Sequence, residues 1–424
     1  LSGSLAYDVP VRGPQEHALY PAPAAALAID GAPSETDAAG SFSIDPAVSS
    51  VACFASSDVV EVVNLGGDAA SLTFVPTDGD EVVWSLADDE LGDAQLSAFV
   101  HTSIAKDHAR KIDPAMSFLD KALSVRVNQD DASFACNAYW NGFTLNFFQQ
   151  FQPCNNTARV ADVVYHEFGH AFHTNSILTG VGEYDAALGE GGADYYASIV
   201  TSDPHLGPGF FQDGGYLREF DTDLRWPEDI SWDPHETGLI FAGALWDLRT
   251  LLTDDLGPDD GAALAHHLYQ ESLRRSPSLP AAFPEILAAD DDDGDLGNGT
   301  PHVCQIVKAF APHGLTPYLP PRGHTQKHVP PRVAPSRQQS NELTVETVHA
   351  FPQCAVTEEA DGVMIKWRTQ INGGAVPMTK VGDQWVGHVP GQLDGTQIRY
   401  SLIAGFDGLE SVLPRNHADP EYKM

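Results

Sequence analysis

Apolar side chains recur every three or four positions between residues 161 and 172. They are Ala161, Val164, Phe168 and Phe172. An α-helix repeats every 3.6 residues, so this spacing predicts a helix with one packed face. Residues 155–157 precede it with side chains that suit helix capping, and Asp162 lies in the first turn, where a carboxylate suits the positive helix end. One face of this helix is expected to pack against the protein core, and the opposite face is expected to carry functional side chains.

Short apolar or alternating runs predict β-strands towards both ends of the chain. They occupy residues 26–29, 40–44, 59–63 and 71–75 near the start, and residues 362–367, 384–390 and 397–404 near the end. Between them, helical patterns occupy residues 94–111, 239–252 and 303–310, and strand patterns occupy residues 123–127 and 137–148. The fold class predicted is α+β, with a mixed centre between two β-rich ends.

A chain of 424 residues is long for a single hydrophobic core, so several domains are expected. The patterns divide it into a β-sandwich at residues 1–88, an α+β domain at 89–315, a linker at 316–340 and a second β-sandwich at 341–424. The linker is rich in proline, which discourages regular structure.

The predicted helix at 161–172 carries His166, Glu167 and His170. Histidines four residues apart lie one helical turn from each other, where both imidazoles can reach one zinc ion. Glu167 is then placed to take a proton from a water molecule that the metal makes acidic enough to attack a peptide carbonyl. The alternative is an ordinary exposed turn, because so short a motif also occurs by chance.

A catalytic zinc ion takes three protein ligands, and Glu190 is the candidate for the third. Asp194 follows one turn later on the same face, where its carboxylate can hold a ligand imidazole by the other ring nitrogen. His173 is a rival ligand, but three ligands along one straight helix cannot surround an ion. His173 is therefore interpreted as a neighbour of the site or a surface residue.

The chain resembles the glutamate-zincin (gluzincin) metallopeptidases, the thermolysin-like and more closely the fungalysin-like families. The resemblance rests on four segments in the family's order, residues 137–142, 166–170, 189–194 and 235–246. It implies a gluzincin fold over residues 90–315, with the active-site helix between a mixed-sheet lobe and a mostly helical lobe. It also implies that Asn137 and Ala138, with Trp140 beside them, bind the substrate backbone as an edge strand, and that His235 stabilises the oxyanion.

The sequence departs from these families at several positions. Gly192 and Ala193 stand where fungalysin-like proteins have tryptophan and serine, and Gly189 stands where thermolysin has an asparagine. Tyr184 is the nearest candidate for the family's oxyanion tyrosine. The ends of the chain resemble other families: residues 36–44 resemble a carboxypeptidase-regulatory-like β-sandwich, and the C-terminal strands resemble a fibronectin-III-like or immunoglobulin-like sandwich.

The charge and the cysteine content limit the partners and the cellular compartment that fit this chain. Lys+Arg 23 against Asp+Glu 59 give a formal net charge of −36, which repels nucleic acid and anionic lipid, and no apolar run is long enough to span a bilayer. The chain starts at Leu1 without a signal-like segment, so a trimmed or mature chain is expected. The acidity suits a secreted protein, one that binds divalent cations or one that works in salty surroundings. No C-x-x-C spacing occurs; Cys136 and Cys154 are the best disulfide candidates, and Cys53 is a candidate buried thiol.

An acidic run at residues 290–295 is a candidate calcium loop. Its possible oxygen ligands are Asp291, Asp293, Asp295 and Asn298. The spacing is not that of an EF-hand, so a solvated acidic loop remains an equal alternative.

Together these patterns predict a secreted zinc endopeptidase that acts on polypeptides, with a monomer as the expected state. The competing class is an inactive extracellular adhesion or scaffold protein built on a peptidase-like core. Glu167 argues against it, because an inactive site has no need of a general base. A third hypothesis retains the zinc chemistry but assigns it a single processing substrate.

Overall fold

The computed structural model describes residues 1–296, 299–316, 324–331, 340–349, 354, 360–393, 395–406, 409–414 and 421–424. They form two compact units, residues 1–224 with 229–285 and residues 225–228 with 286–424. Helices and sheets both occur, so the described chain is α+β. No described helix is long and apolar enough to cross a membrane.

The first unit combines short strands with long helices. Its strands are β1 (Ser2–Pro10), β2 (His17–Pro21), β3 (Ala26–Ile29), β4 (Ala32–Glu35), β5 (Ser41–Ser43), β6 (Val51–Phe54), β7 (Val60–Asn64), β8 (Ser71–Phe74), β9 (Asp80–Ser85), β10 (Leu123–Gln129), β11 (Ala138–Trp140), β12 (Thr144–Phe148), β13 (His205–Leu206) and β14 (Arg218–Glu219). Its helices are α1 (Glu90–Ile112), α2 (Ala161–Ser176), α3 (Ala186–Thr201), α4 (Pro234–Leu256) and α5 (Pro258–Arg275), and α6 (Leu279–Asp290) leads into the second unit.

Three four-stranded sheets and the β13–β14 hairpin make up the β-structure of this unit. The sheets have the orders β2-β1-β5 with β9 parallel to β1, β4-β3-β6-β8, and β11-β12-β10-β7. In the third sheet β7 pairs in parallel with β10, with Val62 opposite Val125. This grouping differs from the predicted boundary at residue 88, because a strand from the N-terminal segment completes the sheet that ends in β11.

Helices α2, α3 and α4 approach one another closely through glycines. A Cβ on Gly169 would lie 2.9 Å from the Ala193 Cα, and a Cβ on Gly191 would lie 2.3 Å from the Gly238 carbonyl oxygen. Any side chain at either position would push the helices apart. The glycines therefore allow three helices that carry polar candidate residues to meet.

The start of α2 differs in detail from its prediction. The helix is confirmed, but its N-cap residue, Val160, provides no side-chain cap. Asn156 instead caps a separate 3₁₀ turn, Thr157–Arg159, which the sequence pattern did not indicate. The first helical N–H, that of Ala161, donates to the carbonyl oxygen of Arg12 at 2.9 Å.

The described part of the second unit is a two-sheet β-structure with the end of α6 and the helix α7 (Val303–Phe310). Its strands are β15 (His324–Lys327), β16 (Asn341–His349), β17 (Gly362–Arg368), β18 (Gly373–Pro377), β19 (Thr379–Val381), β20 (Gln384–Val389), β21 (Arg399–Phe406), β22 (Leu409–Leu413) and β23 (Tyr422–Lys423). The sheets β15-β16-β20-β19 and β18-β17-β21-β22 share a buried core that includes Leu343, Ile365 and Leu402. Strand β15 lies within the segment predicted as a linker and pairs with β16.

His101 in α1 is a fully buried histidine that links three parts of the first unit. Its Nε2 lies 2.8 Å from the Pro10 carbonyl oxygen, which can only accept, and its Nδ1 lies 2.7 Å from the Tyr165 hydroxyl. Nε2 therefore carries a proton, and in the neutral imidazole Nδ1 accepts from the Tyr165 hydroxyl. Burial lowers the pKa of His101 to about 4, even though the Pro10 carbonyl opposes this change.

We expect this histidine to make the protein acid-sensitive. Its folded pKa lies below its unfolded value, so stability is lost as the pH falls from about 6.5 towards 4, by up to about 3 kcal/mol. The variant His101→Gln should lose less stability towards urea than the wild type over that range, although His173 and His266, whose pKa values burial also lowers, still contribute. The control His267→Gln, at an exposed position on α5, should leave the pH dependence unchanged. Parallel pH curves for wild type and His101→Gln would contradict this expectation.

Candidate metal centre

Helices α2 and α3 bring three potential ligands together. The Nε2 atoms of His166 and His170 lie 3.1 Å apart. The Oε2 atom of Glu190 lies 3.2 Å from His166 Nε2 and 3.5 Å from His170 Nε2. The structure thus places all three predicted ligands around one point.

This arrangement fits a zinc ion. Ligand atoms about 2.0–2.2 Å from a tetrahedral zinc ion lie roughly 3.3–3.6 Å from one another, close to the three separations observed here. The two Nε2 atoms also face each other, and neutral imidazoles aimed at one point present lone pairs that a single cation can satisfy. Two imidazoles and a carboxylate form a donor set that zinc accepts at catalytic sites.

Asp194 and Arg218 orient the His166 ring from its Nδ1 side, opposite the Nε2 atom that faces the other two ligands. Asp194 Oδ1 lies 2.7 Å from His166 Nδ1, and Arg218 donates to both carboxylate oxygens of Asp194 at 2.7 and 3.1 Å. Burial would raise the pKa of Asp194, but Arg218 and His166 lower it to about 2. Arg218 was missed from the sequence, because it lies on the short strand β14 in a loop that has no regular pattern.

The same carboxylate controls the proton on His166. Burial alone would lower the pKa of His166, but Asp194 and then Glu190 raise it to about 10. Burial likewise favours the neutral form of Glu190, yet the neighbouring imidazoles hold its pKa well below the usual range. A metal ion and protons therefore compete for His166 Nε2, and binding of the metal releases protons.

Glu167 lies beside the ligands and is 5% exposed. Burial raises its pKa, and the charges of His166 and His170 oppose this rise. The backbone N–H of Trp140 also opposes the rise in this pKa. The predicted base is thus held next to β11, the edge strand of the third sheet.

His235 reaches the cluster from the first turn of α4. Its Nε2 lies 3.2 Å from Glu190 Oε2, and its Nδ1 lies 2.9 Å from Asp233 Oδ1. Asp233 also caps α4 by accepting from the His235 backbone N–H at 2.9 Å. Asp233 was not identified from the sequence, although an aspartate before a proline at a helix start is a recognisable capping signal. The His235 side chain is 43% exposed, so the imidazole stands at the open side of the cluster.

His173 and Tyr184 lie outside the ligand cluster. His173 is fully buried, so it is not a surface residue, and burial lowers its pKa to about 3. Its ring stacks on Tyr184 with centroids 4.0 Å apart, and the Tyr184 hydroxyl lies 3.3 Å from Thr174 Oγ1. A Cβ on Gly189 would come within 2.9 Å of the Tyr184 ring, so the departure at Gly189 makes room for this stack.

The predicted substrate-binding residues lie along β11 or just before it. Ala138 and Trp140 pair with β12 on one side only, because β11 is at the sheet edge. The Asn137 side chain accepts from the Ala138 N–H at 2.9 Å. Directly before this strand, Cys136 forms a disulfide bond with Cys154, the pair that the sequence favoured.

The remaining cysteines and acidic residues lie elsewhere. Cys304 pairs with Cys354, a bond that was not predicted, and Cys53 is a buried free thiol. Asp291, Asp292 and Asp293 have carboxylate oxygens within 4.8 Å of one another, but Asp295 does not join this group. Asn298 lies outside the described residues. Calcium binding at this loop stays a prediction.

Comparison of the sequence with protein-family models and with curated proteins yields no match. Among solved structures, the chain is similar to the precursor of protealysin, a metalloproteinase from Serratia proteamaculans, with a TM-score of 0.46 and 14% identity over 61% of this chain and 87% of that chain. It is also similar to an engineered protein, with a TM-score of 0.16 and 10% identity over 79% of this chain and 76% of that chain. Both likenesses are too distant to argue from.

Proposed function

We propose that this chain is a zinc-dependent endopeptidase of the gluzincin type. The observation that carries the proposal is the convergence of His166, His170 and Glu190 at separations of 3.1–3.5 Å, with the buried carboxylate of Glu167 beside them. An ion with two imidazole ligands and one carboxylate ligand retains an open position for water or substrate.

Zinc, when bound, supplies a positive charge that polarises a carbonyl and makes water acidic. Glu167 takes the proton of the attacking water and delivers it to the departing amine. Its raised pKa makes the carboxylate a stronger base for the first step, and the second step stays favourable because the departing amine is more basic than a carboxylate. Asp194 and Arg218 fix the His166 ring, so this ligand need not reorganise during the reaction.

His235 is the group proposed to stabilise negative charge on the substrate. Its Nδ1 faces the Asp233 carboxylate at 2.9 Å, which orients the ring, and in the protonated imidazole the Nε2–H donates to the substrate oxygen. Its Nε2 points towards Glu190 Oε2, beside the proposed metal position, and the side chain is partly open to solvent. A developing oxyanion at this position would meet a polar group that is already oriented.

A polypeptide substrate is proposed to bind along β11. An edge strand offers unpaired backbone N–H and C=O groups, to which an extended peptide can add as another strand. Trp140 connects this strand to the site, since its backbone N–H lowers the pKa of Glu167. The two disulfide bonds support the further proposal that the protein is secreted, because disulfides persist in oxidising compartments.

The competing hypothesis is an inactive adhesion or scaffold protein. One observation argues against this hypothesis. Burying the ionisable side chain of Glu167 costs folding stability, since the surroundings disfavour its charged form. A scaffold gains nothing from that cost, whereas a peptidase needs the carboxylate. The site therefore favours the enzyme.

Metal removal tests the proposal. Dialysis against a zinc chelator should abolish cleavage of a quenched-fluorescence peptide library, and one equivalent of zinc should restore it. The same dialysis with zinc-saturated chelator serves as the control. Bound zinc without cleavage of any library member or of unfolded casein would favour a scaffold or a single processing substrate, and absence of bound zinc would remove the proposed chemistry altogether.

A further inference from the structure

Arg12 lies in the loop after β1, far along the chain from α2, and it contacts the start of that helix in three ways. Its carbonyl oxygen accepts from the Ala161 N–H at 2.9 Å. Its Nε donates to Asp162 Oδ1 at 3.0 Å, and its Nη2 donates to Asp162 Oδ2. Asp162 is itself fully buried, so the guanidinium supplies the opposite charge that a buried carboxylate needs.

The same guanidinium also holds the strand that follows α3. Its Nη1 donates to Asp203 Oδ2 at 2.5 Å, and its Nη2 donates to the His205 carbonyl oxygen at 2.5 Å. Asp162 adds a second link, since its Oδ2 accepts from the Gly207 N–H at 2.9 Å. Arg12 thus ties β13 to the first turn of α2.

Both contacts lead to the same metal ligand. Asp162 lies one helical turn before His166 on α2. Strand β13 pairs with β14, with Leu206 opposite Arg218, and Arg218 donates to the Asp194 carboxylate that faces His166 Nδ1. One route therefore fixes the helix that carries His166, and the other fixes the carboxylate that orients its ring.

We propose that Arg12 is a positioning residue for the metal centre, holding His166 through Asp162 and through the β13–β14 hairpin. This inference rests on the proposed zinc site but not on the peptidase reaction. A planar guanidinium binds one carboxylate with two parallel hydrogen bonds and still donates to other acceptors, and lysine cannot reproduce this geometry. The loop between β1 and β2 thus helps to position the metal ligands.

The test measures zinc affinity of the full chain by competition with a chromophoric chelator, well below the melting temperature of each variant. Arg12→Met should weaken zinc binding by about 10-fold, and Arg12→Lys should weaken it less, because outer partners of a ligand typically change metal affinity by 10–100-fold. The matched control is Arg159→Met, which removes the arginine partner of another buried carboxylate, that of Asp93, and leaves its contact with His17. Arg159 has no described contact with β13 or Asp162, so its variant should lose thermal stability and keep wild-type zinc affinity.

A merely structural role gives a different result. If Arg12→Met lowers the melting temperature but leaves the zinc dissociation constant within twofold of wild type, the proposal is overturned. It is also overturned if Arg159→Met weakens zinc as much as Arg12→Met. The Asp162→Asn variant supplies an independent check: it should weaken zinc binding less than Arg12→Met does, because the contacts of Arg12 with Asp203 and His205 remain. Arg12→Met should then have a smaller further effect in the double variant than it has in the wild type.

These outcomes separate the inference from the proposed function. A wild-type protein that binds zinc without cleaving peptide contradicts the peptidase proposal, while the ranking of zinc affinities still decides the role of Arg12. A wild-type protein that binds no zinc overturns both.

Discussion

Replacing Glu167 with glutamine should lower kcat/KM for peptide cleavage by about 10²–10⁴-fold, the range that a positioned general base contributes. Glutamine has nearly the same shape, but it cannot take up a proton at neutral pH. Zinc content should remain equal to wild type, since His166, His170 and Glu190 are unchanged. The measurement is cleavage of a quenched peptide together with metal analysis of the same sample.

The stability of this variant provides a second observation. Burial raises the pKa of Glu167, so the fold disfavours its charged form at neutral pH, and a neutral amide removes that cost. Glu167→Gln should therefore melt at or above the wild-type temperature. The control Glu81→Gln, at an exposed position on β9, should retain full activity. Near-normal cleavage by Glu167→Gln would show that another group is the base.

The sequence could predict the site residues that lie close together along the chain. His166, Glu167 and His170 occupy consecutive turns of one helix, so helical periodicity alone places them on neighbouring positions. Glu190 was selected by chemistry and by the resemblance, and the structure places it within 3.5 Å of both histidines. Short-range geometry was sufficient for these residues.

The residues that hold the ligands could not be inferred in the same way. Arg218 meets Asp194 across 24 positions of sequence, and Arg12 meets Asp162 across 150. No periodicity connects such positions, because their contact depends on how β13, β14 and α2 pack. The same limit applies to β7, which the strand pattern identified but whose partner β10 lies beyond α1.

The prediction that residues 155–157 cap helix α2 was wrong, because the cap also depends on a contact that is distant in sequence. Residues 155–157 are suitable caps, and Asn156 does cap a turn, but the chain makes that 3₁₀ turn before α2 begins. The N–H of Ala161 is then satisfied by the Arg12 carbonyl oxygen. A buried helix start needs a partner for each N–H, and tertiary structure can provide it where the local sequence does not.

Replacing Glu190 with glutamine should weaken zinc binding by more than about 100-fold, which exceeds the typical effect of losing only an outer partner. The carboxylate is the anionic member of the ligand set, and its low pKa shows that the surrounding imidazoles favour its charged form. A neutral amide oxygen is a poorer ligand for zinc, and it leaves His166 and His170 with less compensation for positive charge. Zinc affinity is measured by competition with a chelator of known strength.

The response to added metal distinguishes this ligand from the base. Excess zinc should restore part of the cleavage activity of Glu190→Gln, because this variant loses activity by binding less zinc. Excess zinc should restore no activity to Glu167→Gln, which binds zinc but lacks the base. Glu271→Gln is the matched control: its side chain is 12% exposed against 16% for Glu190, and it pairs with Arg274 and Arg275 rather than with the cluster. Equal zinc affinity in wild type and Glu190→Gln would exclude Glu190 as the third ligand, since no neutral oxygen at that position can replace a carboxylate without loss of affinity.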